Sequence, residues 1–101
     1  GNIDAGIVNV VSDKNYDDLL SYLKNKDFKK MRSWVVNNID TDAAAIFRSI
    51  YDRMAEKVAS QSIPQLVLIL GDYQYKNAFV ADHELNVVAC LTEVMSDVQF
   101  N

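Results

Sequence analysis

Apolar positions recur at helical spacing along most of this chain. Tyr16, Leu19, Leu20 and Leu23 follow the i, i+3, i+4, i+7 pattern of a one-sided helix. Asp17 and Asp18 fall in its first turn and Lys24 and Lys26 at its end, an order that complements the helix dipole. Asp27 then stands as an N-cap before apolar positions Phe28, Met31, Trp34, Val35 and Ile39. Asp40, Thr41 and Asp42 open a further helix, predicted over residues 42–59. Its apolar set is Ala43, Ile46, Phe47, Ile50, Tyr51, Met54 and Val58, opposite Arg48, Asp52 and Glu56. Ser60 or Ser62 caps the next helix, and Pro64 suits its opening turn because no early N–H partner is needed there. Gly71 or residues 74–77 end it, and a last helix follows over about residues 81–98. At the start, Ile3, Ile7, Val10 and Val11 have helical spacing and predict a short helix over residues 3–11.

Turn residues are scarce, with Gly only at 1, 6 and 71 and Pro only at 64. That argues against a many-stranded sheet. No repeat, linker or low-complexity tract divides the chain, so residues 1–101 read as one all-α domain, a bundle of five to six helices. Phe47, Ile50, Met54, Leu66, Leu70, Leu85 and Leu91 are its expected core.

The last two helices carry more apolar surface than one core face requires. The fifth is apolar almost all round except at Gln65 and Asp72. On the sixth, Val87, Val88, Cys90, Leu91, Val94, Met95 and Val98 form a wide arc, extended by Leu85 and Ala89. The remaining polar strip is mainly Asn86, Glu93 and Asp97. A helix serving one core needs a stripe of roughly 100° or somewhat more. Either this pair is the centre of the bundle, or part of the arc meets another subunit. The second reading makes Val87, Cys90 and Val94 candidate interface residues. Lys29 and Arg32 join them from a basic stretch over residues 24–32 that carries five positive side chains and one Asp. A solvated helix end explains that stretch most simply; an acidic face on a neighbouring subunit is the sharper explanation.

Charge and composition narrow the function. The net charge of −4 disfavours nonspecific binding to nucleic acid or anionic lipid. No apolar run is long enough to span a bilayer. The lone Cys90 cannot form an internal disulfide and suits a reducing compartment. No initiator Met or signal-like segment begins the chain, so a fragment or processed chain is expected.

No catalytic constellation assembles. His83 and Glu84 open a string that resembles His-Glu-x-x-His, but Val87 stands where the second imidazole belongs. A single His and a single Cys cannot supply the usual zinc ligands. Asp40-Thr41-Asp42 lacks the glycine and terminal glutamate of a calcium loop and fits capping. Cys90 lies among Val87, Val88, Leu91 and Val94, an environment that keeps a thiol protonated and inert. No glycine-rich Walker loop is present to cradle phosphates.

In their order along the chain, Asp4-Ala5-Gly6-Ile7, Leu23-Lys24-Asn25-Lys26-Asp27, Gln61-Ser62-Ile63 and Glu84-Leu85 resemble one family. They are similar to the C-terminal collar domain of the ATPase subunit of T-even-type phage sliding-clamp loaders. The resemblance covers essentially the whole chain. Leu-Lys-Asn-Lys-Asp is its most specific string, and Pro64 departs from the pattern by following Gln61-Ser62-Ile63 rather than preceding it. The resemblance implies an all-helical oligomerisation module that packs beside its copies and a second loader subunit in a ring. It places ATP and Mg, the sliding clamp and primer–template DNA on an N-terminal AAA+ region absent from this sequence, and the protein in the cytoplasm of an infected bacterium. It carries no catalytic residue, cofactor site or metal site onto this chain and implies no membrane partner. The runner-up is a helical adaptor that binds a partner helix or peptide without catalysis; a small enzyme ranks third.

Overall fold

The computed structural model describes residues 15–39 and 43–101 and shows an all-α bundle. Helix α1 is described over residues 15–24, followed by α2 (Phe28–Asn38), α3 (Ala43–Met54), α4 (Ile63–Asn77) and α5 (His83–Asp97). The helix expected over residues 3–11 and the Asp40-Thr41-Asp42 cap lie outside the described residues. Two helices are capped by acidic side chains, α2 by the expected Asp27 and α5 by Asp82. Asp27 accepts from the Lys30 backbone N–H at 3.1 Å, and Asp82 accepts from that of Leu85 at 3.0 Å. The turn from α1 to α2 closes through Asp27 N–H to the Tyr22 carbonyl at 2.9 Å, which puts Lys26 at φ 56°. That left-handed conformation crowds a Cβ against the backbone, so Lys26 stands where glycine is the natural choice.

α5 is the centre of the packing, with α2, α3 and α4 all laid against it. Val87, Cys90, Leu91 and Val94 have no exposed surface. Phe47, Ile50 and Met54 from α3, Leu66 and Leu70 from α4, and Met31 and Val35 from α2 fill the same core. α1 adds Leu19 and Leu23. Its start is pinned by the Trp34 indole, which donates to the Asn15 carbonyl at 2.8 Å and meets the Tyr16 ring edge-on. Asn86, expected on a polar strip, is instead buried and donates to the Tyr73 carbonyl at 3.0 Å, joining α5 to α4.

Three expectations need correction. α3 ends at Met54, not at residue 59, and continues as a 3-10 turn, Ala55–Lys57. Val58 is buried as expected, but in an extended conformation, held by an isolated antiparallel bridge to Phe100. Ala59 N–H to the Gln99 carbonyl and Asn101 N–H to the Lys57 carbonyl complete this clip. Ser62 stands at the N-cap position of α4, one of the two places expected, but its side chain makes no capping bond; its buried hydroxyl instead accepts from Gln99 N–H at 3.2 Å. Gly71 lies within α4, which runs on to Asn77. Leu85, finally, is 64% exposed rather than buried.

Leu91→Ala should cost about 2–5 kcal/mol as a cavity in a filled core, whereas Leu85→Ala should stay within about 0.5 kcal/mol. Lys26→Gly should gain about 0.5–1 kcal/mol, the steric relief less the extra chain entropy of glycine. Urea denaturation of the three variants measures all of these.

Candidate interaction surface

α4 is apolar on two opposite sides. At about 100° per residue, Leu66, Ile69 and Leu70 turn toward the core, and Pro64, Val67, Leu68, Gly71 and Tyr75 fall on the far side. Leu68 is 68% exposed and Tyr75 69%. Phe79, just past the helix end and 72% exposed, lies against Tyr75 with ring centroids 5.1 Å apart and prolongs the ridge. Tyr51 reaches the same side from α3, partly exposed. At these exposures Tyr51, Val67, Leu68, Tyr75 and Phe79 present on the order of 500 Å² of side chain, taking ~150–250 Å² for a whole aromatic. Patches of this size are the largest that soluble monomers usually show, and they are often functional.

The ridge has a notch at Gly71. A Cβ built there would meet nothing within 4 Å, so no intramolecular contact requires glycine. In the interior of an exposed helix glycine costs about 0.8–1 kcal/mol relative to alanine. Beside it, Phe47, Tyr51, Val67, Leu70, Gly71 and Gln74 line a small cleft of about 220 Å³ between α3 and α4. Charges at the edges are already paired: Lys76 with Asp72 at 3.0 Å and Arg48 with Asp52 at 3.1 Å. Covering the ridge therefore strands no lone charge among these four.

A second surface follows the outer side of α5. Leu85, Val88, Ala89, Thr92 and Ser96 line an open groove of about 570 Å³ with Phe28 from α2 and Tyr73 from α4, and Glu93 and Asp97 add two carboxylates to it. Apart from Leu85, which protrudes, its central side chains are short. Glu93 at the edge accepts from the Tyr73 hydroxyl at 3.0 Å. Burial, then the Glu93 carboxylate, push the Tyr73 phenol up to about 12.

The interface residues expected from sequence divide between interior and surface. Val87, Cys90 and Val94 have no exposed area, and their side chains complete this chain's own core. Lys29 and Arg32 are exposed on α2. Sequence reasoning does not single out the outward residues of α4, although the nearly all-round apolar character of residues 63–71 is the signal for them. Among the described residues no three His, Cys, Asp or Glu side chains converge on a metal-sized site. His83 Nδ1 lies 2.8 Å from Asn77 Oδ1, across the turn between α4 and α5. No helix of the described residues is long and apolar enough to cross a membrane.

No family model matches the chain. It is 27% identical over 106 aligned positions to the sliding-clamp-loader large subunit of Enterobacteria phage T4. That alignment takes in 99% of this chain and 32% of the phage protein, so the chain spans about a third of that relative's length. The likeness falls in the same family that the sequence strings resemble.

Burial, then the Glu93 and Asp72 carboxylates, push the Cys90 thiol up to about 12 from 9.0. At neutral pH it should react with a thiol reagent far more slowly in the native than in the unfolded chain. The folded state holds this proton more tightly, so the stability it confers is complete below pH 9.0 and is lost as pH rises toward about 12. Cys90→Val should flatten the alkaline fall in stability and leave the part due to Tyr73 and Tyr16, whose phenols burial also pushes up, as read by urea midpoints across that range.

Proposed function

We propose that this domain is an assembly module of a phage sliding-clamp loader, holding ATPase subunits side by side in a ring. The observation that carries the reading is the second apolar side of α4. A helix that already buries Leu66, Ile69 and Leu70 gains nothing in its own fold from exposing Leu68, Tyr75 and Phe79. The likeness to a clamp-loader large subunit along nearly the whole chain supplies the biological setting. In this reading the chain is the C-terminal collar of a longer subunit, and its partners are its own copies and a second kind of loader subunit. ATP with Mg²⁺, the sliding clamp and primer–template DNA are bound by the preceding AAA+ region, where this chain contributes spacing and no chemistry. The complex works in the cytoplasm of the infected host.

A single contact between isolated domains must offset ~4–15 kcal/mol of lost translational and rotational freedom. Within a ring, a second contact through the ATPase regions makes the first effectively intramolecular, and the two reinforce each other. Association of the domain alone is accordingly weak, and association of the whole subunits strong.

The test compares the full-length subunit with one lacking residues 3–101. The shortened subunit should still bind ATP but neither sediment as a loader ring nor load clamps. A shortened subunit that forms the ring and loads clamps at the normal rate overturns the assignment.

A further inference from the structure

Resting on the assembly role proposed above, we propose that the contact is head-to-tail: the outer face of α4 docks on the outer face of α5 in a second copy of this chain. Leu85 of the second copy then sits in the notch over Gly71. Three features of the two surfaces fit one another. Large residues oppose small ones in both directions: with Leu85 over the hydrogen of Gly71 and the two helices running the same way, Tyr75, one turn beyond Gly71, falls on Ala89, one turn beyond Leu85, and Phe79 falls near Thr92. A ridge packed on an identical ridge would instead set large against large. The α4 ridge supplies on the order of 500 Å², against the ~800 Å² per partner of a standard interface, so with a polar rim it suffices for a specific contact. The charges flanking the ridge are already neutralised within α3 and α4, and burial leaves them partnered.

A contact between two different surfaces leaves one of each free on every pair. It therefore extends to a third copy and closes into a ring when the rotation per step allows it, whereas a contact of one surface with itself stops at two. Gly71 acquires a reason here that the isolated fold does not give it. Its Cβ position is open within the chain, and filling it would obstruct only the neighbour.

Both faces tolerate substitution, since Gly71 opens on empty space and Leu85 is 64% exposed. The experiment is sedimentation velocity of the 101-residue chain over rising concentration, with Gly71→Arg, Leu85→Arg and their equimolar mixture. The wild type should form species larger than a dimer. Each variant alone should lose affinity by about 30-fold or more, the scale of an interface hot spot. The mixture should recover dimers and nothing larger, because one copy keeps an intact α4 face and the other an intact α5 face. Gly71→Ala adds a control on folding: it should raise the melting temperature while weakening association. Leu85→Arg associating like the wild type would show α4 meeting α4, and Gly71→Arg doing so would show α5 meeting α5. Either result overturns the proposal, as does a wild type that stays monomeric to ~1 mM. None of these outcomes decides whether removing residues 3–101 dissolves the loader, so this contact and the assembly role stand or fall separately.

Discussion

Burial of α5 against three helices at once sets the terms for the rest of the molecule. With Val87, Cys90, Leu91 and Val94 sealed, α2, α3 and α4 each need only one face against that centre. Asn86 can enter the same interior only because the Tyr73 carbonyl accepts its amide. The Tyr73 hydroxyl, donating to Glu93, ties α4 to α5 again at the surface. One helix thus fixes the position of α4, and with it which side of α4 is left to solvent.

That outward side works against the stability of a lone chain. Leu68, Tyr75 and Phe79 gain no burial, and Gly71 gives up helix propensity in the middle of four turns. Natural chains tend to sit just above the stability that their function needs, and departures from the stability optimum gather where the molecule meets something else. Low intrinsic affinity is no objection, because subunits joined at a second place turn a weak contact into a firm one.

Much of the helical order is legible in the sequence. Tyr16, Leu19, Leu20 and Leu23 mark α1, and Asp27 marks its successor, because periodicity and capping are local physics. Val58 shows the limit of that signal: an apolar residue at the right spacing is buried whether it continues a helix or, as here, bridges to Phe100 far along the chain. Leu85 shows another, since a helical wheel counts apolar arc but does not know where the neighbouring helices lie. For the same reason a wheel does not separate Val87, Cys90 and Val94, which the packing buries, from Leu68 and Tyr75 on α4 and Leu85 on α5, which it leaves exposed. Only the packing of three helices on α5 distinguishes the two.

The central claim is that the outer faces of α4 and α5 meet each other between copies. Backbone amide NMR spectra of the wild-type chain, recorded at rising concentration, test it residue by residue. Shifts and broadening should gather at 67, 68, 71, 75 and 79 and, with the same concentration dependence, at 85, 89, 92 and 96. Changes confined to α1 and the outer side of α2, with the α4 amides unmoved, would contradict the account.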